Sequence, residues 1–363
     1  MYTDNNVDKY SFRNDYSESA HPQIIKRILE LAYETNTPYG KDRHSEAAAN
    51  MIRELCGTPD AEVAFTSGGT ATNVLAISAF LRNTYDAVIC ADTGHINVHE
   101  TGSIEYMGRK AITIPVGVDG KLTPEIIDPV FKGFESEHMV IPKLVYISQS
   151  TEVGSMYTKA ELETLYAVCK KCGLYLFIDG ARLGYALGSP DSDLTLEDVA
   201  NNCDVFYIGG TKCGLMFGEA VVIMHDALKP DFRSIAKQNG AILAKGRLLG
   251  IQFGVVMKDN MYIEICRHAV EQAYKVRDAF LAHGFKFLAD SPTNQQFVIL
   301  TPAQFEKLSE EFVLSLIEYL PDGNYCARVC TSWATKDEEI DKLPQINRLK
   351  EYKTGTIVIW TKF

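Results

Sequence analysis

The sequence predicts an α/β fold: a mostly parallel sheet covered by helices, followed by a smaller α+β C-terminal domain. Two observations carry this. Through the first two thirds of the chain, continuously apolar runs of strand length alternate with helical stretches, the pattern of strands buried on both faces. From about Gly246 the pattern changes to a long helical region followed by further strand candidates. The expected units are therefore residues 1–245, a large domain with its N-terminal segment, and 246–363, a small one. A chain of 363 residues with 46% hydrophobic composition can bury a core of that size.

HPQIIKRILELAYE, from His21 to Glu34, reads as an amphipathic helix with Pro22 near its start. EVAFTS is a short strand, and TATNVLAISAFL, from Thr70, is the helix after it. AVICAD, AITIPV, KLVYISQS, LYLFID, VFYIGG and EAVVIM follow as strands, with helices at TPEIIDPVFKGF and TKAELETLYAVCKKC. The helical region after Gly246 runs to about His283. FKFLAD and QQFVIL are then strand candidates, Pro302 to Tyr319 reads as a helix, and CARVCTSW as a strand. The last residues, KTGTIVIWTKF, look strand-like after a terminal helix.

The formal net charge is −11, which disfavours nucleic acid and anionic membranes as partners, since phosphate affinity comes from clustered Lys and Arg. Small anionic ligands need only a few local cations or a helix N-terminus. The nine cysteines are dispersed and odd in number, which reads as free thiols. Cys169 and Cys172 form a lone CxxC, read as one packed cysteine and one bystander. The polar N-terminus has no apolar run of signal-peptide length, and no stretch reaches the roughly 18 apolar residues of a membrane helix. The expectation is a soluble cytoplasmic protein.

In a parallel α/β sheet, ligands gather at the carboxyl ends of the strands. TSGGTATN, Thr66 to Asn73, joins a strand to a helix; it suits an anion or is a plain tight turn, and matches neither GxGxxG nor the P-loop. Asp179 ends the apolar strand of LFIDGARLG; buried there it needs a protonated ring, a metal or a cation such as Arg182, three residues on. Lys212, between small residues in VFYIGGTKCGLMFGEAVV, is placed for a desolvated amine that forms Schiff bases, or for an ion pair with Asp179. His95 follows the strand of ADTGHINVHETG. With His99 and Glu100 it could suggest a metal, but the spacing is not HExxH, so no metal is expected and a ring lying on a flat cofactor reads better. Arg328, inside an apolar strand, suits a carboxylate or an internal ion pair. Together these supply what a pyridoxal 5′-phosphate (PLP) enzyme requires: a phosphate cradle, a stacking ring, an acid for the pyridine nitrogen, a Schiff-base lysine and an arginine for the substrate carboxylate.

The order of GGT, His, DGAR, GGTK and a late Arg resembles the threonine aldolase family of fold-type I PLP enzymes. The likeness runs through FRNDYSESAHP, TPYGKD, FTSGGTATN, GHINVHETG, SQSTEVGSMYT, FIDGARLG, IGGTKCGLMFGEA, KQNGAILAKGR and ARVCTSW, nearly the whole chain except the tail. STEVGSMYT and the GEA ending resemble the low-specificity threonine and phenylserine aldolase branch. The resemblance implies that Gly69 and Thr70 bind the phosphate with Gly68 beside them. It implies that His95 stacks on the ring, Asp179 bonds the pyridinium, Arg182 faces cofactor and substrate, Lys212 carries the cofactor, and Arg328 binds the amino-acid carboxylate. Lys237 and Arg247 resemble cations that reach a neighbouring subunit's phosphate, implying a homotetramer of dimers with shared sites. Tyr39 lies in a loop that resembles the family's stretch near the substrate. Asn14 stands where the family usually has a serine that helps hold the carboxylate, and Glu152 where some members carry a histidine near the substrate hydroxyl.

The implied reaction is retro-aldol cleavage of a β-hydroxy-α-amino acid to glycine and an aldehyde. His95 is the leading base and Glu152 the second. The competing expectations are β-elimination or transamination on the same cofactor, and a non-catalytic α/β binding protein with a structural ion-pair cluster.

Overall fold

Seven strands build the central sheet of the computed structural model, which describes residues 9–134 and 136–342. In chain order the elements are β1 (Tyr10–Ser11), α1 (Pro22–Glu30), α2 (Arg43–Leu55), β2 (Glu62–Thr66), α3 (Gly69–Phe80), β3 (Asp86–Ala91), α4 (His95–Val98) and α5 (Ser103–Tyr106). Next come β4 (Lys110–Ile114), α6 (Pro124–Lys132), β5 (Ile141–Ser148), α7 (Lys159–Lys171), β6 (Tyr175–Asp179), α8 (Leu183–Gly188), α9 (Leu196–Asn201), β7 (Val205–Gly209) and β8 (Glu219–Ile223). The remainder comprises α10 (Lys229–Gln238), α11 (Arg247–Val256), α12 (Met261–Ala282), β9 (Lys286–Phe287), β10 (Gln295–Leu300), α13 (Pro302–Leu308), β11 (Phe312–Val313), β12 (Ser315–Tyr319), β13 (Tyr325–Cys330) and α14 (Asp337–Ile340).

The sheet order is β2-β8-β7-β6-β5-β3-β4, and β8 alone runs against the rest. The expectation of a mostly parallel sheet holds. The reversal follows from the short Gly210–Gly218 connection, which returns the chain beside β7 without the crossover helix a parallel neighbour needs. Strands β3, β6, β7 and β8 are buried nearly throughout, matching their uninterrupted apolar sequences. Two apolar clusters sandwich the sheet, one including Ile89, Ile178 and Phe206, the other Val88, Phe177 and Tyr207. Alternate residues of each strand feed opposite faces.

A second sheet, β12-β13-β10-β9, is antiparallel. Its core joins Val276 and Phe280 of α12 to Phe12, which follows β1 in the N-terminal segment. Strand β1 pairs with β11, so the first described residues pack with the last third of the chain. In contrast, α11 and the start of α12 contribute Phe253, Val256 and Tyr262 to the large-sheet core.

Three expectations need adjustment. The first helix stops at Glu30, short of Glu34. The long helical region is two helices, parted where Asp259 and Asn260 take left-handed backbone conformations. The helix expected from Pro302 to Tyr319 ends at Leu308, and Ser315–Tyr319 is a strand paired with β13. The physical reason is the turn Leu320–Asn324, closed by Leu320 N–H to Asn324 O at 2.8 Å, with Gly323 at φ +84°. That turn folds β12 onto β13, and pairing in a sheet outweighs local helical periodicity. The sequence KTGTIVIWTKF lies outside the described residues. All nine cysteines are free; Cys169 is buried and Cys172 half-buried.

Candidate active site

The carboxyl ends of β2, β6 and β7 meet at one edge of the sheet and carry Gly69, Asp179 and Lys212. Gly180 permits the close approach: a Cβ there would lie 1.7 Å from the Tyr207 carbonyl oxygen. With that gap closed, the Tyr207 hydroxyl donates to Asp179 Oδ1 at 2.5 Å. The Ala181 N–H donates to the same oxygen at 3.0 Å. Tyr146 O–H (2.5 Å) and Asn73 Nδ2 (3.0 Å) donate to Oδ2. Burial alone would raise the Asp179 pKa, but the charge of His95 and the hydroxyl and amide donors outweigh it and hold the carboxyl below its ordinary value. Burial keeps both tyrosines protonated, and hence donors.

Helix α3 begins at this edge. Its N-cap, Gly68, makes no side-chain capping bond, and a Cβ at Gly68 would meet nothing within 4 Å. The first N–H groups, at Gly69 and Thr70, therefore have no side-chain cap from residue 68, and the positive end of the helix dipole lies behind them. One turn on, Asn73 Nδ2 donates to Glu100 Oε1 at 2.7 Å as well as to Asp179.

His95 opens α4. Its Nδ1 lies 2.9 Å from Glu100 Oε1, and its backbone N–H donates to Glu152 Oε1 at 3.0 Å. Ser148 Oγ donates to the same Glu152 oxygen at 2.6 Å. Burial dominates at Glu152 and raises its pKa despite these bonds. The rings of His95 and His99 sit 5.4 Å apart. Burial lowers the His99 pKa, and the positive charges of His95, Arg328, Arg182 and Lys212 lower it further. Among the described residues, no three His, Cys, Asp or Glu side chains gather as a metal site.

Lys212 is carried by the loop between β7 and β8. Glu219 fastens that loop, accepting from Gly210 N–H at 2.6 Å and Thr211 Oγ1 at 2.8 Å, while Tyr185 O–H donates to the Lys212 carbonyl. Burial pushes Glu219 up to about 7. Desolvation lowers the Lys212 pKa and the Arg182 charge lowers it further, against the pull of Asp15, Asp179 and Glu219. The ammonium form is therefore destabilised, the condition a nucleophilic amine needs.

Of the alternatives for Asp179, pairing with Arg182 is not the one realised. The Arg182 guanidinium makes a two-bond fork onto Asp15, Nε to Oδ2 at 2.8 Å and Nη2 to Oδ1 at 3.0 Å. Residue 182 is the N-cap of α8, and the chain turns there, away from the end of β6. Asn294 Nδ2 adds a bond to Asp15 at 2.9 Å. Burial would raise Asp15, but Arg182 and Lys212 bring it down to about 2. The alternative ion pair between Lys212 and Asp179 is also absent among the described residues: no N–O approach of 4.0 Å links them.

Arg328 on β13 donates to Gln295 Oε1 and to the Arg13 carbonyl, each at 2.9 Å, and its Nε is buried without a partner. Among the described residues no carboxylate pairs with it, so the internal ion pair is not formed there. Asn14 is next to Arg13, but its Oδ1 accepts from Tyr16 N–H and Ser17 O–H, in its own turn.

Tyr39, Lys237 and Arg247 form a group of neighbours. Lys237 Nζ sits 4.5 Å above the Tyr39 ring, whose backbone N–H bonds to Ala244 O. Arg247 begins α11 directly after Gly246, which packs on Gly40.

Sequence reasoning missed Asp15, Asn73, Tyr146, Tyr207, Glu219 and Asn294. A signal existed for two of them: Tyr146 and Tyr207 are polar-tipped residues inside otherwise apolar strands. Asp15 and Asn294 meet Arg182 only through the fold.

The beta-eliminating lyase family model matches residues 12–303. The chain is 34% identical over 343 residues to a low specificity L-threonine aldolase of a Pseudomonas species, covering 92% of this chain and 95% of the relative. It is 32% identical over 349 residues to that of Pseudomonas aeruginosa, covering 93% and 97%. The solved structure of a Leishmania major threonine aldolase superposes with a TM-score of 0.91 at 48% identity, covering 93% of this chain and 98% of that one.

Proposed function

The chain belongs to the beta-eliminating lyase family, in its threonine aldolase branch, and from that membership and the site we propose that it is a PLP-dependent carbon–carbon lyase. It cleaves a β-hydroxy-α-amino acid of the threonine type to glycine and an aldehyde. The observation that carries this is the meeting, at one sheet edge, of a buried Asp179 held anionic and a Lys212 amine biased toward its neutral form.

The residues fit the cofactor. The uncapped start of α3 has open room above it for a phosphate, and Arg328 keeps a buried Nε without a partner. Gly68, Gly69 and Thr70 would hold the phosphate, Asp179 the protonated ring nitrogen, His95 a ring face, and Lys212 the cofactor's carbonyl carbon. Bound there, PLP supplies an electron sink for the pair released when the Cα–Cβ bond breaks.

The chain's own groups do the rest. Arg328 binds the substrate carboxylate, and Arg182, fixed by Asp15, faces it. That clamp sets which bond at Cα stands in line with the sink. His95 takes the β-hydroxyl proton through Nε2. Glu152, whose Oε1 already accepts from the His95 backbone and Ser148, holds His95 in place and stands second as base. Lys237 and Arg247 serve a neighbouring subunit's phosphate site in a homotetramer of dimers, and Tyr39, over whose ring Lys237 Nζ sits, stands in the substrate loop. A cytoplasmic location is supported by the nine free thiols. Among the described residues no helix is long and apolar enough to cross a membrane.

Product analysis with L-threonine and L-allo-threonine tests this. Glycine and acetaldehyde in equal amounts are expected; ammonia with a keto acid would replace the aldolase by an eliminating or transaminating enzyme.

A further inference from the structure

Glu100 has a 0% exposed side chain, yet no lysine or arginine pairs with it among the described ion pairs. A buried carboxylate in that position must be satisfied by hydrogen-bond donors. Two are unambiguous: Asn73 Nδ2 to Oε1 at 2.7 Å and Ser103 Oγ to Oε2 at 2.8 Å. The third is the His95 ring, whose Nδ1 is 2.9 Å from Oε1. A lone pair on Nδ1 would face a carboxylate lone pair, so the contact requires Nδ1–H.

Asn73 makes the arrangement directional. One amide nitrogen donates to Glu100 and to Asp179, two buried carboxylates on different elements. Reversing the amide would aim its oxygen at both anions, so Nδ2 must face them; the carbonyl oxygen left behind is buried without a partner. The chain Asp179–Asn73–Glu100–His95 thus fixes each donor in turn.

We propose that Glu100, locked by Asn73, is a positioning residue that holds His95 as the Nδ1–H tautomer and leaves the Nε2 lone pair for the substrate's β-hydroxyl proton. The transfer balances simply: the O–H bond breaks, Nε2–H forms, the electron pair stays on oxygen, and the imidazolium keeps Nδ1–H on Glu100. This inference rests on the base role proposed for His95. Glu100 acts through His95 and touches no substrate.

The test uses PLP-loaded full-length enzyme labelled with 15N-histidine, with the His95 signals identified by their loss in His95→Asn. Solid-state 15N NMR then reads the ring tautomer independently of turnover. Wild type should show protonated Nδ1 and bare Nε2. Glu100→Leu should lose that preference and lower kcat about tenfold or more, with KM within about twofold and the cofactor's near-visible band retained. In Glu100→Gln the amide oxygen should stay toward His95, because a flipped amide would meet the Asn73 donor; the tautomer should persist and kcat should stay within about tenfold of wild type. Bare Nδ1 in the wild type, a kcat loss in Glu100→Leu with the tautomer unmoved, or bare Nδ1 in Glu100→Gln would overturn the inference. If threonine gives no glycine in the wild type, the function fails, while the tautomer still judges Glu100.

Discussion

Asp179 and Asp15 are both buried carboxylates held below their ordinary pKa, and they are held in opposite ways. Asp179 is hydrogen-bonded by neutral donors, two tyrosine hydroxyls, an asparagine amide and a backbone N–H, and among the described residues it makes no ion pair with a lysine or arginine. Asp15 is clamped by the Arg182 guanidinium and feels Lys212 beyond it. A carboxylate that is to meet a cationic ring is oriented by neutral groups, which leave its charge uncompensated. One that serves to aim an arginine is neutralised by it. The first arrangement belongs to chemistry, the second to shape.

The contrast is broken most severely on the Asp15 side. Asp15→Leu leaves Arg182 buried without its anion and should cost about 3–5 kcal/mol, read as a fall in denaturant midpoint of the PLP-loaded enzyme. A loss under about 1 kcal/mol would show that the fork is not a stabilising unit. The same pair sets a pH signature. Asp15 titrates near 2 folded against an ordinary 3.8, so its contribution is present above pH 3.8 and lost as pH falls through 2. Acid unfolding of wild type should therefore include a term of about 2 kcal/mol that Asp15→Asn lacks.

On the other side, Asp179→Asn keeps the hydrogen-bonded shape but removes the anion. It should fold and still bind PLP, while kcat falls about 100-fold or more. Near-normal turnover would remove Asp179 from the electron-sink role.

Arg328→Ala sharpens the comparison, because among the described residues this arginine pairs with no carboxylate. It should lower kcat/KM for threonine by about 10- to 100-fold with little loss of stability. Unchanged kinetics would count against substrate carboxylate binding there. Asn14→Ser should do least: the Asn14 oxygen serves its own turn, so KM should move by no more than about twofold.

Much of this site was legible because its chemistry sits where apolar runs stop. Asp179 closes the strand of LFID and Lys212 follows VFYIGG, and each is where strand-end logic puts it. The alternative that Arg182 neutralises Asp179 rested on three residues of sequence separation, and the fold does not realise it. The partner of Arg182 is 167 residues away, on a segment whose placement depends on β1 meeting β11 and Phe12 entering the small-sheet core. Asn73 was hidden for a related reason, whereas Glu100 was noticed only as a possible metal ligand beside His95 and His99. Asn73 meets Asp179, 106 residues on, and Glu100, 27 residues on, only through the fold, while Glu100 reaches His95 locally, five residues away. Strand β12 was misread as helix because its pairing, not its periodicity, decides its state.

The central claim is that Lys212 carries PLP above an anionic Asp179. Borohydride reduction of the PLP-loaded protein, followed by peptide mapping, tests it directly. Loss of the near-visible band with the pyridoxyl group found on Lys212 is the predicted result. A label on any other lysine, or no band after incubation with PLP, would contradict the account.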